Sequence, residues 1–545
     1  MQKAAQKLFP SAPQGLPYFL LAAAVFIAYA NVYDNVFLFD DGLIILRNEL
    51  LRSWQTFGRL FTATTIEGAH IPGGFYRPLQ NIFYFFLYQT AGPEPWAFHL
   101  LNVALHAANA GLVCLLGRKL GFNLWAVFFT ALIWALHPLH TEAITYISGT
   151  ADPLYTLFCL MGLAVLLPDF TRRKFLLALP LFLLGLMSKE NAVVFPLLVM
   201  SCMFLLKKDR LKPKTYINTW PLWLIAFAYI AWRVTAPHLD GPQSYDRLYD
   251  QHDYYNLKLY SQHFSYRVYT FLATLPAYAE ILLWPVDLRM ERGFAVFVSA
   301  WPPEVWIGTA LLAAALAQIA WSRGQRGLAL SWGLIWFSAA HFPNSGIFIS
   351  MNSQFLEHWM YLPTIGLFLG IAQTLSDFLQ KFKLPTLRYM AAACALIVAV
   401  ALGARTYDQN MIWHDPFVFY KNIFKYGEVS ARAHNNLALA YMERGDYAEA
   451  VREFYEAINI TDTYPETRHN LALAILNLPN SETHIPQAIA NLERSLEIDP
   501  NFYRAYTALA KIYAHTGDKK KEAYYLAKER ELLGKPPSAE FPASN

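Results

Sequence analysis

Long apolar runs, separated by short charged or polar segments, fill about the first three-quarters of the chain. A helix needs roughly 20 apolar residues to cross the hydrocarbon core of a bilayer. The pattern therefore predicts an all-α fold in which residues 1–405 form a polytopic membrane helix bundle of about 11 spans. The runs lie near 17–36, 96–117, 123–136, 151–171, 175–187, 192–206, 217–234, 264–285, 304–321, 328–342, 360–378 and 387–403. We expect the run at 264–285 to cross only in part.

Basic residues flank alternate ends of these runs and predict the orientation of the chain. Lys3 and Lys7 precede the first run, Arg118 and Lys119 close the second, and five Lys and Arg residues fall within 207–214. Because cytoplasmic loops carry an excess of Lys and Arg, these ends are expected in the cytoplasm. The first run is too long for a signal-peptide core and lacks a small-residue cleavage site, so we interpret it as a retained span.

The C-terminal part has a different pattern, with charged residues and a short internal repeat. Leu437-Ala438 recurs 34 residues later as Leu471-Ala472, and a third unit contains Leu509-Ala510. This spacing is typical of tetratricopeptide helix-turn-helix units. It predicts a connector at 406–430, about three repeats at 431–534 and a flexible tail at 535–545. Such a soluble α-solenoid offers a concave surface for a protein partner, although a purely structural cap is the other interpretation.

Composition supports the membrane assignment and narrows the function. Of the 545 residues, 55% are hydrophobic and only 15% are charged, whereas soluble domains average about 25% charged. The net charge of +4 comes without a basic block of the kind that binds nucleic acid, so no nucleic-acid partner is expected. The four cysteines all lie inside apolar runs, which favours small buried hydrophobes over disulfides or metal ligands.

Two adjacent carboxylates, Asp40 and Asp41, follow the first run and open a large aromatic loop at 37–95. On the outer face, such a carboxylate could take a proton from an incoming hydroxyl or hold a metal. The simpler interpretation is an N-cap of the next helix. Because like charges repel, the two acids need not both be ionised, and residues adjacent in sequence usually point apart.

Two cations stand where they could meet a lipid phosphate at the membrane surface. Arg77 lies within the 37–95 loop, and its guanidinium suits bidentate phosphate binding. Lys189 and Glu190 lie between two apolar runs with almost no loop between them. The alternatives are a snorkelling or salt-bridged Arg77, and an ion pair between Lys189 and Glu190.

Further polar residues lie within or beside the apolar runs. In the second run, spacings of three and four place His99, Asn102, His106 and Asn109 on one helical face, which predicts interhelical hydrogen bonds or a polar cavity. A second group lies at the outer ends of later runs, where zinc binding, phosphate contact and acid–base roles are all open; the spacing matches no metalloenzyme motif and favours the last two. Its members are His137, His140, Glu142, Asp152, Glu357 and His358.

Taken together, these motifs resemble the transmembrane, tetratricopeptide-containing O-mannosyltransferases and, more broadly, the GT-C glycosyltransferases. The resemblance covers nearly the whole chain. The eukaryotic family has an arginine after the glutamate before Tyr361-Leu362-Pro363, where this chain has His358, and its repeat array is longer. These departures favour a bacterial origin. The matching residues are Asp40-Asp41, Tyr76-Arg77-Pro78-Leu79, Asn102, His106, His137-Pro138-Leu139-His140-Thr141-Glu142, Ala151-Asp152, Lys189-Glu190 and Tyr361-Leu362-Pro363.

The resemblance implies transfer of a sugar from a polyprenyl-phosphate donor to an acceptor hydroxyl, on a protein, at the extracytoplasmic face. Asp40 or Asp41 would be the catalytic base, and no metal or other cofactor is expected. The membrane would be the bacterial inner membrane, or the endoplasmic reticulum in a eukaryote. The donor phosphate would be bound by Arg77, His140, Lys189 and His358. Supporting roles would fall to His137, Glu142, Asp152, Glu190, Glu357, Asn102 and His106.

A second class of function stays open, in which the chain is a non-catalytic membrane scaffold or a lipid-linked-glycan transporter and the repeats gather partners. Ionisable residues that converge on one face argue against a plain scaffold. A transporter is expected to show charges near mid-span or two similar halves, and the apolar part shows no clear internal repeat.

Overall fold

The computed structural model describes residues 15–69, 75–236, 257–322, 327–351, 353–382, 384–427 and 430–533. These residues form α-helices and short 3-10 or π segments, with no β-strand among them, so the all-α prediction is confirmed. Two compact units are present, the first ending at Asp415 and the second beginning at Pro416. Lys3, Lys7 and the tail predicted at 535–545 lie outside the described residues.

The helices of the first unit are numbered in chain order. They are α1 Leu16–Ala28, α2 Pro78–Ala91, α3 Pro95–Lys119, α4 Leu124–Ala135, α5 Thr141–Ile144, α6 Ala151–Leu166, α7 Arg172–Ser188, α8 Phe195–Leu206, α9 Trp220–Thr235, α10 Leu257–Gln262, α11 Phe264–Leu283, α12 Pro303–Trp321, α13 Leu328–His341, α14 Pro363–Lys381 and α15 Pro385–Asn410. Between α1 and α2 the chain forms the short segments Val32–Asp34, Gly42–Leu46, Glu49–Leu51, Trp54–Phe61 and Glu67–Ala69.

The structure does not support the expected count of about 11 membrane spans. Within the described residues, four segments are long and apolar enough to cross a membrane, or five if α4 and the bent segment after it form one span. Many apolar runs end early at caps or short 3-10 turns, so that α4 and α8 have only 12 residues each. A helix of that length rises about 18 Å, well short of the hydrocarbon thickness. The four segments are Pro95–Lys119, Ile147–Leu166, Pro303–Trp321 and Pro385–Trp413.

Two of these helices, α12 and α15, present large apolar side chains on the surface of the first unit. Trp306 and Ile307 on α12, and Ile397 and Val400 on α15, are each more than half exposed. A stable surface in water rarely exposes apolar patches of this extent. The exposure is typical of helices that contact lipid, and it favours membrane association.

Helix α3 lies at the centre of the first unit and packs against α1, α4 and α6. Its apolar residues, such as Val103 and Val113, belong to the main buried cluster. The polar residues Asn102, His106 and Asn109 are also fully buried on this helix. Because buried polar groups need partners, these side chains fix where the neighbouring segments can lie.

The second unit is built from helix pairs, as the repeat spacing predicts. Small residues such as Ala438, Ala457 and Ala472 are buried where paired helices approach closely. In the second repeat, residues Ser481–His484 form a 3-10 segment before the second helix of the pair. The helices are α16 Pro416–Phe424, α17 Ala431–Arg444, α18 Tyr447–Ile460, α19 Pro465–Leu476, α20 Ile485–Ile498, α21 Tyr503–Thr516 and α22 Lys519–Leu533.

Replacing Gly445 tests how the first repeat turns. Gly445 ends α17 with φ of +87° and has open space around it, so only the backbone conformation resists a side chain. Gly445→Ala is expected to destabilise the α17–α18 pair by about 1 kcal/mol, and Gly445→Asn by less, since Asn tolerates the left-handed region. Hydrogen–deuterium exchange of peptides from 431–460 checks this; equal exchange in all three proteins would contradict it.

Candidate active site

Asp41 is buried and ties the start of the first loop to a distant segment. It is only 1% exposed. Its Oδ2 accepts a hydrogen bond from the Leu38 N–H at 3.0 Å. Its Oδ1 accepts one from the Ser148 N–H at 2.9 Å and another from the Ser148 hydroxyl. Asp41 precedes the π segment Gly42–Leu46, but its side chain does not cap it. The carboxylate therefore joins two loops instead of capping the start of a helix.

Burial raises the pKa of Asp41 to about 7. The hydrogen bonds from Ser148 and Leu38 lower the pKa, and the neighbouring charge of Asp40 adds a smaller increase. Repulsion between the two acids was the cause expected from sequence, but desolvation is the larger one. Near neutral pH, Asp41 therefore carries a proton part of the time.

Asp40 is the more accessible of the two acids. Its side chain is only partly buried, and its backbone N–H donates to the Tyr146 hydroxyl at 3.2 Å. The Tyr146 ring stacks on Trp413 at 5.5 Å between centroids. Phe39, the residue before Asp40, has φ of +57°, a conformation that bulky residues rarely adopt. The turn thus places Asp40 and Asp41 in different surroundings, as expected for adjacent residues, whose side chains usually point apart.

Asn102 on α3 holds the segment that receives Asp41. Its Nδ2 donates to the carbonyl oxygens of Ile144 and Tyr146, each at 3.1 Å. Its Oδ1 accepts a hydrogen bond from the Thr150 hydroxyl. Asn102 therefore makes hydrogen bonds of the kind predicted for this polar face, and its Nδ2 acceptors are main-chain carbonyls of residues 144–147.

Two residues of α2 donate hydrogen bonds to the same segment, residues 146–150, from another side. The Tyr84 hydroxyl donates to the Ile147 carbonyl at 2.7 Å. The Gln80 Nε2 donates to the Ser148 carbonyl at 3.1 Å. Neither residue was identified from the sequence, although their spacing of four places both on one face of the helix that begins after Arg77. Residues 146–150 are thus fixed on two sides, which positions Ser148 for Asp41.

Gly149 allows this segment to fold back on itself. A Cβ atom at Gly149 would lie 2.7 Å from the Ala143 carbonyl oxygen and 2.9 Å from that of Glu142. Real Cβ contacts are not this short, so no side chain fits unless the backbone moves.

The two predicted phosphate-binding cations each pair with a carboxylate. Arg77 binds Glu190 through two hydrogen bonds, 2.9 Å and 3.3 Å long, and its guanidinium lies over the Phe75 ring. The Lys189 Nζ lies 2.8 Å from both carboxylate oxygens of Asp152. Lys189 and Glu190 therefore do not pair with each other, because each turns to a different element. The Arg77–Glu190 pair is more exposed, at 13% and 33%, than the buried Lys189–Asp152 pair.

A third ionisable cluster forms around Glu142 and Glu357. The His358 ring Nδ1 lies 2.9 Å from Glu142 Oε1, and the His358 N–H donates to Oε2 at 2.9 Å. Glu357 accepts a hydrogen bond from the Arg289 N–H at 2.8 Å and lies 3.4 Å from the Arg292 guanidinium. Burial and the nearby Glu142 raise the pKa of Glu357. Arg289 and Arg292 were not predicted, because they lie in a loop without a recognisable motif.

Two histidines near this cluster make hydrogen bonds to the protein itself, and a third is enclosed by aromatic rings. His106 Nε2 lies 2.8 Å from the Ala135 carbonyl, so it carries the proton and the Tyr361 hydroxyl donates to Nδ1 at 2.7 Å. His137 Nε2 donates to the Leu282 carbonyl at 3.1 Å. His140 is 1% exposed and lies against the rings of Trp134 and Tyr361. This enclosure argues against the predicted contact between His140 and a donor phosphate.

The segment 140–152 connects all three clusters. It carries Glu142, which holds His358, then Ser148, which holds Asp41, and finally Asp152, which holds Lys189. Within the described parts of the chain, no group of three or more His, Cys, Asp or Glu side chains is placed to hold a metal ion. The arrangement offers a partly exposed carboxylate on Asp40 together with several cations that are paired with carboxylates.

The chain is similar to several proteins named protein O-mannosyl-transferases. One from Caenorhabditis elegans is 23% identical over 82% of this chain and 63% of its own length. Human TMTC3 is 22% identical over 94% of this chain and 60% of its own length. Human TMTC2 is 35% identical over 26% of this chain and 18% of its own length. The resemblance to this family is thus confirmed. The chain spans about three-fifths of the length of the curated relatives that it matches along most of its length.

Two other similarities concern structure. A family model described as tetratricopeptide repeat matches residues 420–465, which confirms the predicted repeat type. A solved chain titled "Crystal structure of APC/C hetero-tetramer Cut9-Hcn1" covers 89% of this chain and 95% of its own, at 14% identity and a TM-score of 0.22. A score this low does not indicate a shared overall fold.

Gly149→Ala tests the folded-back segment. The added methyl group must displace the carbonyls of Ala143 or Glu142, so we expect a loss of about 1–3 kcal/mol of stability. Gly58→Ala is the matched control, since a Cβ there meets nothing within 4 Å. Thermal unfolding of the purified, detergent-solubilised protein measures both; equal midpoints would refute the close approach.

The raised pKa of Asp41 predicts a pH dependence of stability. The folded protein holds a proton on Asp41 more tightly than the unfolded chain does, so this contribution is complete below about pH 4 and is lost as pH rises to about 7. We expect wild type to lose stability relative to Asp41→Asn across that window, by at most about 1.4 kcal/mol per pH unit.

Denaturant unfolding of both proteins at pH 5, 6, 7 and 8 measures this difference. Asp41→Asn is expected to be less stable at low pH, because an amide nitrogen cannot accept the hydrogen bond from Leu38 or Ser148. Its curve against pH should be the flatter one. Parallel curves for the two proteins would show that Asp41 does not titrate in this range.

Proposed function

We propose that the chain is an integral membrane glycosyltransferase that moves a sugar from a polyprenyl-phosphate donor to a hydroxyl group of a protein at the extracytoplasmic face. The observation that carries the proposal is the turn in which a partly exposed Asp40 stands beside a buried, anchored Asp41. Similarity to proteins named protein O-mannosyl-transferases along 82–94% of the chain supports it.

Asp40 is the base in this proposal. As the acceptor hydroxyl attacks the anomeric carbon, Asp40 takes the hydroxyl proton, a new carbon–oxygen bond forms, and the bond to the lipid phosphate breaks. The phosphate leaves with the electron pair of that bond. A single displacement of this kind would invert the configuration of the sugar carbon. A positioned general base contributes roughly 10²–10⁴-fold to such a reaction.

Asp41 has a positioning role. Its hydrogen bonds go to the main chain and to Ser148, so it holds the turn instead of meeting the acceptor. Because Asp41 is partly protonated near neutral pH, it adds less negative charge beside Asp40 than a fully ionised neighbour would.

Positive charge for the leaving phosphate comes from Arg77 and Lys189, with His358 as a third contact. Arg77 is the better placed for direct contact, since its pair with Glu190 is more exposed than that of Lys189 with Asp152. A phosphate could bind the Arg77 guanidinium together with Glu190, or it could displace Glu190 from the guanidinium. Such cations stabilise a monophosphate leaving group where its charge develops, so the proposal requires no divalent metal.

The tetratricopeptide unit is the proposed acceptor-binding part. Repeats of this kind stack into a superhelix that presents a concave surface to an extended peptide or a protein. The acceptor is therefore proposed to be a protein.

Sugar transfer from a panel of polyprenyl-phosphate sugars by the purified protein tests the proposal. Asp40→Asn is expected to lower transfer by about 10²–10⁴-fold without a change in folding. Asp34→Asn is the matched control, because Asp34 is an exposed acid a few residues earlier and should keep full activity. Asp41→Asn should lower activity and, at low pH, thermal stability, since it loosens the turn.

Three results would contradict the proposal or part of it. Loss of transfer with a chelator would overturn the metal-free reaction. Full activity of Asp40→Asn, with loss only in Asp41→Asn, would make Asp41 the base. No turnover of any donor by wild type, with all variants folded and indistinguishable, would favour a scaffold or a lipid-linked-glycan transporter.

A further inference from the structure

A basic turn joins α8 to α9 on the first unit. Residues 207–214, which we call the basic turn, contain five Lys or Arg residues and a single acid, Asp209. Lys212 pairs with Asp209 at 2.9 Å, but both side chains are mostly exposed, so this surface pair is weak and easily exchanged. Lys208 and Lys214 are also exposed. The turn therefore carries an excess of positive charge, and Lys208, Lys212 and Lys214 present it on the surface.

A groove of about 520 Å³ opens beside the basic turn. Its lining is mainly apolar and aromatic, and it comes from Met200 of α8, from the 3-10 segment Pro213–Thr219 and from the start of α9. Lys214 is the one Lys or Arg in the lining. The apolar and aromatic part of the lining consists of Met200, Pro213, Tyr216, Ile217, Trp220 and Trp223.

An exposed apolar stripe continues from this groove along α9. Trp220, Leu224 and Phe227 are each about 60% exposed, and Ile230 is 44% exposed. Spacings of four, three and three place them on one helical face. An apolar stripe that ends in tryptophans and then in lysines is typical of a helix that leaves the hydrocarbon region at the headgroup level.

We propose that the basic turn and this groove form a binding site for an anionic phospholipid. The phosphate-containing headgroup would contact Lys212 and Lys214, and an acyl chain would lie in the groove against Trp220 and Trp223. Charge complementarity and the apolar stripe together favour a lipid over an acidic protein segment, because a protein segment would leave the stripe uncovered. The inference does not rest on the proposed transferase activity.

The test measures binding of fluorescent dioleoyl phosphatidylglycerol to the full chain in detergent micelles, with dioleoyl phosphatidylcholine as the neutral reference. Wild type is expected to bind phosphatidylglycerol at least about tenfold more tightly. The double variant Lys212→Ala/Lys214→Ala should lose that preference, since each cation near an anionic headgroup is worth on the order of fivefold in affinity. Its affinity for phosphatidylcholine should stay unchanged.

Two further variants separate the parts of the site. Lys511→Ala/Lys520→Ala removes the same charge from exposed positions of the second unit, and it should bind both lipids as wild type does. Trp220→Ala/Trp223→Ala should weaken the binding of both lipids to the same extent, because both lipids carry the same acyl chains. Gel filtration and circular dichroism of each variant establish that it is folded.

Four results would overturn the proposal. The two lipids could bind wild type equally, or the second-unit variant could lose as much affinity for phosphatidylglycerol as the basic-turn variant. Complete displacement of the lipid by millimolar inorganic phosphate would indicate a site for a free anion. Displacement by a polyglutamate peptide at a lower concentration than unlabelled phosphatidylglycerol would instead indicate an acidic protein partner.

Discussion

The attachment of Asp41 to Ser148 is the interaction on which the candidate site depends. It joins a turn after the first helix to a segment more than 100 residues later, and a carboxylate that accepts several hydrogen bonds in a buried place is difficult to move. The neighbouring Asp40 gains a fixed position from this anchor while its own side chain stays partly exposed. A general base requires a fixed position and access to its substrate, and the buried anchor beside a partly exposed acid provides both.

The anchor is itself held by buried polar groups that need partners. Asn102 lies on the central helix α3, where an unpaired amide would cost several kcal/mol in apolar surroundings. Its partners are main-chain carbonyls of the segment that carries Ser148, and Gln80 and Tyr84 satisfy two more carbonyls. The polar face of α3 therefore determines the path of this segment as well as the packing of the helix.

Pairing with carboxylates balances the cations that the proposed reaction uses. The Lys189–Asp152 pair is buried and the Arg77–Glu190 pair is partly exposed to solvent. The two cations therefore differ in how readily they can bind an anion. Buried ion pairs contribute little net stability but are costly to break. Their arrangement fits a site that keeps its cations in place before a phosphate arrives.

The sequence alone determined features that depend on local spacing: the all-α fold, the 34-residue repeat and the polar face of α3. It also located the acid pair, because adjacent carboxylates after an apolar run stand out. It did not determine the number of candidate spans, since caps and 3-10 turns shorten helices within continuous apolar runs. Nor did it reveal that Lys189 turns to Asp152, that Asp41 binds Ser148, or that His140 is enclosed. Those contacts join residues far apart in the chain, and only the packing of helices decides which of several available partners each charge meets.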